Sequence, residues 1–371
     1  MAGALSLPRQ RAVSTGMRCV LAPPTAAPSV PERSQLDAVR HLGRRFPKAR
    51  VREVPLVRAA ELDSRADPTG TTRVWLALEA LQVTGSFNVR GALLALAAIA
   101  AGPEGRHVVA SSVGNHGVAV AYAACVLGMS ATVVVPRTIS RNKREKIERY
   151  GAELVVAATD RYETAEALAK EVAVTQGIPF VAPDDGDVVL GNGGSLGFEI
   201  IRGLGGLPER VLAPFGGGAL ATGLSWAMAA EGAGPFERSV WGVQSDARCA
   251  MAAWLEREAR GEPASPLPLV ADDTVSLADE LIGVPSPEHL LRARAAVAGV
   301  LVVGEAQIGA TMAHAYKDMG LVLEGTAAVA LAPVLFGLPE ALRGGDLVVV
   351  LTGRNVDPER LESCLAYANM N

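Results

Sequence analysis

The sequence predicts an α/β protein of two domains, each built on a mostly parallel twisted sheet flanked by helices. Three observations predict it. The chain has 371 residues, and domains commonly hold about 100–200. From about residue 36, short apolar runs alternate with longer amphipathic ones, the pattern of strands joined by helices in parallel sheets. Several apolar runs also end in turns rich in Gly, Ser and Asn, at the carboxyl ends of strands where such folds place their ligands.

The elements read in order as follows. "TRVWLAL" is a strand and "VRGALLALAAIAA" a helix. "HVVASS" is a strand leading through a Gly/Asn turn into the helix "GVAVAYAACVLG". Next come the strand "SATVVVP", the charged helix "SRNKREKIERYG" and the strand "AELVVAA". "RVLAPF" is a strand followed by a glycine run and the helix "ATGLSWAMAAEG". "SVWGVQ" and "DLVVVLTG" are the last strands.

Composition narrows the function. Half of the chain is apolar (49%) with only 4% aromatics, so the core must be built from Ala, Val, Leu and Ile. A net charge of -4 offers no electrostatic reason to bind nucleic acid or an anionic membrane. Cys19, Cys125, Cys249 and Cys364 match no metal-ligand spacing, and free thiols in a reducing cytoplasm are the simple reading. No apolar run reaches the ~18 residues that a membrane helix needs. Residues 1–35 are basic and rich in Pro, Ala and Ser. A disordered leader, or a true start at Met17, is expected rather than a targeting peptide.

Four turns carry candidate chemistry. Gly216, Gly217 and Gly218 stand between a strand and a helix. Such a turn points successive N–H groups inward and suits a phosphate, although a ligand-free tight turn remains open. Ser111, Ser112, Gly114, Asn115 and His116 form a second strand-to-helix turn. It suits a carboxylate, but Ser112 or Asn115 could simply cap the helix. Gly85 and Gly91 bracket "SFNVR", and Thr352 ends the last strand.

Together and in this order, the turns resemble the pyridoxal-phosphate enzymes of fold type II, of the serine/threonine dehydratase kind. That family carries "GSFKxRGA", "S-x-GNH", "GGGGL" and "SGGN". This chain has "GSFNVRGA" (85–92), "SVGNHG" (112–117), "GGGAL" (216–220) and "TGRN" (352–355). The resemblance runs from about residue 36 to the C-terminus. It implies the two-domain fold type II architecture, with a large cofactor domain over 36–105 and 190–371 and a small domain over 106–189. By position it assigns Gly216, Gly217, Gly218, Ala219 and Leu220 to the cofactor phosphate. Asn115 goes to the ring hydroxyl, Thr352 to the pyridine nitrogen, and Phe87 beside the ring. Ser112, Gly114, Asn115 and His116 go to the substrate carboxylate. The implied ligands are pyridoxal 5'-phosphate and a small amino acid, the implied assembly is a homodimer, and no metal and no C-terminal regulatory domain are expected.

The departures bear on activity. Asn88 stands where the family has the lysine that forms the internal Schiff base and moves protons. Its amide is neither nucleophilic nor basic. Lys143 and Lys146 are expected not to replace it, because their helix belongs to the other domain. Ala77 takes the place of the lysine preceding Glu79, and Val113 that of a serine used in racemisation. Ala219 replaces a fourth glycine, and Arg354 is expected to press on the ring end of the site. Two functions follow. One is an ammonia-lyase acting by α,β-elimination on a hydroxy amino acid. The alternative is a catalytically degenerate protein that binds the cofactor, or an amino acid, without turnover.

Overall fold

The computed structural model describes residues 17–23, 30–103, 105–232, 239–262, 275–281 and 287–368. Among the described residues, ten strands form two sheets: β1 (Arg18–Leu21), β2 (Leu56–Arg58), β3 (Thr72–Ala77), β4 (His107–Ser111), β5 (Ser130–Val135), β6 (Glu153–Val156), β7 (Arg210–Pro214), β8 (Val240–Ser245), β9 (Gly299–Val303) and β10 (Gly345–Val350). The large sheet has the order β1-β9-β8-β7-β10-β3-β2, and the small one β4-β5-β6. All neighbours are parallel except the two edge pairs, β1 with β9 and β2 with β3.

The longer helices are α1 (Val89–Ala101), α2 (Asn115–Leu127), α3 (Arg141–Arg149), α4 (Tyr162–Gln176), α5 (Ser195–Leu204), α6 (Ala219–Ala230), α7 (Ala250–Ala259), α8 (Pro287–Ala296), α9 (Glu305–Met319), α10 (Gly325–Phe336) and α11 (Pro358–Ala368).

Both faces of the large sheet are covered, which is why its central strands read as unbroken apolar runs. On β10, Leu347 and Val349 face the cluster that holds Ile308 and Met312 of α9 and the buried face of α10. Val348 and Val350 point the other way, towards Leu196 and Ile200 of α5 and Leu220 and Leu224 of α6. The period of two that sends neighbouring side chains to opposite faces places each residue.

α1 joins the two sheets. Val89, Leu93 and Leu96 pack with Val108 and Ala110 of β4 and Ala119 and Val120 of α2. Leu94 lies among Leu190, Phe198 and Trp226 on the side of the large sheet. A boundary at residue 105 therefore follows a helix that shares its core with both units.

One expectation is corrected. The composition of 1–35 points to a leader, but Arg18–Leu21 adds an antiparallel edge strand, with Arg18 opposite Val302 and Leu21 opposite Gly299. A four-residue strand with a mostly exposed pattern gives little apolar signal, and only β9, far along the chain, supplies its partner. Residues 1–16 and 24–29 lie outside the described residues.

Candidate active site

The four turns singled out in the sequence meet between the two sheets. Two of them are stitched together by backbone: Phe87 N–H donates to Thr352 O (3.1 Å) and Arg354 N–H to Gly85 O (2.9 Å). Asn355 ties in a third. Its Nδ2 donates to Thr84 O (3.1 Å) and to Asn115 Oδ1 (2.6 Å).

A cavity of about 530 Å³ opens here, in the range of small-molecule sites. Asn88, Ser112, His116, Gly217 and Ala219 line it, with Ser111, Val113, Glu280 and Arg292. Phe87, Gly114, Asn115, Gly216, Gly218, Leu220 and Thr352 belong to the same turns but are not part of its lining. Tyr162, Glu166 and Lys170 of α4 close another side.

In the glycine turn, Gly218 is the residue that takes a positive φ, and Gly216 and Gly217 do not. Gly218 has φ +87°, and a Cβ there would strike Ala293 and, at 2.8 Å, Phe215 Cζ. Ala219 begins α6 in helical backbone, so alanine costs nothing there that glycine would spare. The α2 turn behaves differently from a simple cap. Gly114 is the N-cap residue of α2, while Ser112 Oγ accepts the Gly114 N–H at 2.8 Å. Asn115 Nδ2 donates to Glu324 Oε1 at 2.6 Å. His116 Nε2 lies 3.1 Å from Val181 O, and burial lowers its pKa, so the ring is neutral.

Three buried polar atoms of the lining have no hydrogen-bond partner among the described residues: Asn88 Oδ1, Ser111 Oγ and His116 Nδ1. Buried polar groups are normally satisfied, so this grouping around one cavity marks a place for a polar ligand.

Lys143 and Lys146 depart from expectation. Their helix α3 flanks the small sheet, but both side chains cross the cleft. Lys143 is only 1% exposed. Its Nζ lies 2.5 Å from Glu280 Oε1, 3.6 Å from Asp279 and 3.7 Å from Glu324. Those carboxylates hold it charged against burial, which alone would lower its pKa. Lys146 donates to Asn355 Oδ1, and burial together with Arg354 lowers its pKa. Lys143 is therefore not remote from the cleft, and it is bound there as an ammonium. Arg354 is also corrected: its side chain is exposed and does not press on the site.

The charges close locally. Asp279 also pairs with Arg360 at 2.8 Å, and of the three carboxylates Glu280 lies nearest to Lys143. Burial, with Glu280 nearby, then pushes the Glu324 carboxyl up to about 8. Between its ordinary 4.5 and about 8 the folded chain keeps a proton that the unfolded chain has released. This group therefore makes stability fall as pH rises through that window. Glu324→Gln should flatten the fall, as read by unfolding midpoints across the window. Equal slopes in the two proteins would contradict the assignment.

Sequence reasoning missed α8. His289 is fully buried and interacts with the Gly217 backbone, and burial lowers its pKa. Arg292 lines the cavity with its Nε buried and without a hydrogen-bond partner among the described residues. A guanidinium beside a glycine turn suits a phosphate. Nothing in "EHLLRARAA" signals this, because the helix's position depends on the tertiary fold.

Comparison with known proteins agrees with this geometry. The family model described as "Pyridoxal-phosphate dependent enzyme" matches residues 48–353. The chain belongs to the pyridoxal-phosphate-dependent enzyme family. A Sinorhizobium fredii protein with the provisional name threonine dehydratase is 34% identical over 299 residues, covering 79% of this chain and 85% of its own. An L-threonine ammonia-lyase of Thermotoga maritima is 33% identical over 291 residues, covering 78% and 69%. Among solved structures, the T.th. threonine deaminase superimposes with a TM-score of 0.73 at 31% identity, covering 88% of this chain and 99% of that one. The α/β architecture in two sheets is that of these enzymes, and the residues present fit the family's cofactor. The glycine turn and Arg292 suit its phosphate, and Asn88 Oδ1 and Ser111 Oγ offer polar contacts that no described residue satisfies.

Proposed function

We propose that the chain binds pyridoxal phosphate reversibly in this cavity and presents a small hydroxy amino acid for α,β-elimination with release of ammonia. The observation that carries the proposal is the convergence of unsatisfied polar atoms, the glycine turn and Arg292 on one cavity. Gly216, Gly217, Gly218 and the first amides of α6, at Ala219 and Leu220, would hold the phosphate. Thr352 would face the pyridine nitrogen, Asn115 the ring hydroxyl, and Phe87 the side of the ring. Ser112, Gly114, Asn115 and His116 would orient the substrate carboxylate. The cofactor, when bound, supplies an electron sink for the bond broken at the α-carbon. That carbon loses a proton, the β-carbon loses its hydroxyl as water, and hydrolysis frees the ammonia. The threonine-dehydratase names of the relatives support a hydroxy amino acid as substrate.

Asn88 supplies neither an amine for attachment nor a base. The cofactor is therefore held non-covalently, and turnover is slower by the ~10²–10⁴ that a positioned base contributes. The same residue favours a second reading, in which cofactor and amino acid are bound without turnover. Ammonia and keto acid released from L-serine or L-threonine, with and without added cofactor, separate the two. Release above the background of free cofactor supports the lyase. Binding with release at background supports the second reading, and absence of binding contradicts both.

Arg292→Leu should weaken pyridoxal phosphate binding by about tenfold or more, the worth of a charge-assisted hydrogen bond. Equilibrium dialysis checks it, and unchanged affinity would remove Arg292 from the phosphate site. We also propose a homodimer, by analogy with the family, and residence in the cytoplasm, supported by four free cysteines. A monomer at micromolar concentration in sedimentation would contradict the dimer.

A further inference from the structure

The turn assigned to the substrate carboxylate already holds a carboxylate of this chain. Glu280 Oε1 accepts the backbone N–H of Asn115, at the start of α2, at 2.9 Å. The same oxygen lies 2.5 Å from the Lys143 ammonium. It also lies 2.5 Å from where a Cβ on Gly114 would stand, so glycine there leaves the room that Glu280 takes. Glu280 itself lines the cavity. An amide at a helix N-terminus and a charged ammonium converging on one oxygen are what a ligand carboxylate would need.

We propose that Glu280 is a specificity-determining residue whose carboxylate competes with the carboxylate of the bound amino acid for Asn115 N–H and Lys143. The inference rests on the cofactor and amino-acid site proposed above. Two carboxylates cannot share this seat, because like charges a few ångströms apart oppose each other's ionisation. The anchor that holds Glu280 can be given up. Among the described residues Lys143 is its one ion-pair partner, and its backbone N–H donates to Thr326 Oγ1 at 3.3 Å, which leaves the side chain to turn about its own bonds. Lys143 would then pass from Glu280 to the ligand. An α-amino acid must therefore displace Glu280 to dock, whereas an amine without a carboxylate need not.

The test compares two stable ligands by calorimetric titration of the full chain, Glu280→Ala and Glu280→Gln. Phosphopyridoxyl-L-serine carries the α-carboxylate, and pyridoxamine phosphate lacks it. The serine conjugate is expected to bind Glu280→Ala about tenfold or more tightly than the wild type, the gain from a freed charge-assisted contact. Glu280→Gln, which keeps the shape and loses the charge, should tighten it in the same direction. Pyridoxamine phosphate should change by less than about twofold. Unchanged or weaker binding of the conjugate to both variants would overturn the proposal. So would equal tightening of both ligands, which would mean that the variants only enlarge the cavity. Pyridoxamine phosphate reads the cofactor site alone, so its failure to bind any of the proteins would mark the loss of the underlying reading instead.

Discussion

Asn88→Lys is expected to attach pyridoxal phosphate covalently and to raise deamination of serine or threonine by at least ~10², the contribution of a positioned base. Asn88 precedes α1 and lines the cavity together with Gly217 and Ala219. It is 8% exposed, and its Oδ1 has no hydrogen-bond partner among the described residues, so a longer side chain loses no described contact of the amide oxygen. Lysine there would extend into the cavity between the glycine turn and Ser112. Visible absorbance and a borohydride-fixed mass increase read the attachment, and ammonia release reads the turnover. Attachment without turnover would mean that Ala77 and Val113 record a site adapted to another task. A folded variant that binds the cofactor without attachment would contradict the placement of the cavity's ring end.

The second large effect concerns stability. Arg90 is fully buried and donates from Nε to Glu79 Oε2 (2.9 Å), from Nη1 to Glu199 Oε1 (2.9 Å) and Ser195 Oγ (3.1 Å), and from Nη2 to Glu79 Oε1 (2.8 Å) and Glu199 Oε2 (2.7 Å). One guanidinium thus fastens the start of α1 to α5 and to the 79–81 turn, two residues beyond Asn88. Glu199 Oε2 also accepts Val54 N–H at 2.8 Å. Arg90→Met keeps the apolar stem but leaves two buried carboxylates without their cation, a change that costs about 3–5 kcal/mol. Denaturant unfolding should show that loss, or the variant should fail to accumulate in soluble form. A variant within about 1 kcal/mol of the wild type would contradict the ion triad as the fastening of α1.

What the sequence discloses and what it hides divide along chain distance. α1 and the strands β3, β4, β5, β7, β8 and β10 read directly, because each is an unbroken apolar run or a run of helix formers next to a turn. β9, with its fully buried "GVLVV", is missing from the sequence reading although its apolar run is as plain as theirs. β1 is not legible, because a short exposed strand gains its identity only from its partner.

In the site, the glycine turn and the 112–117 turn are local motifs and are legible. Lys143 is not. "SRNKREKIERYG" reads as a solvated helix, and only the fold brings Asp279, Glu280 and Glu324, more than a hundred residues away, around that one ammonium. Glu280 and Arg292 are hidden for the same reason. Arg354 errs in the opposite sense: it is adjacent to a motif in sequence, but its backbone turns the side chain to solvent.

The central claim is that this cavity holds pyridoxal phosphate without covalent attachment, because position 88 is Asn and Lys170, the lysine in the lining, pairs with Glu166. The absorption spectrum of the purified chain with added cofactor, before and after borohydride and dialysis, tests it most directly. The account predicts bound cofactor without the yellow imine band, no mass fixed to the protein by borohydride, and removal by dialysis. A yellow band that survives dialysis and is fixed by borohydride to a lysine in the cleft would contradict it.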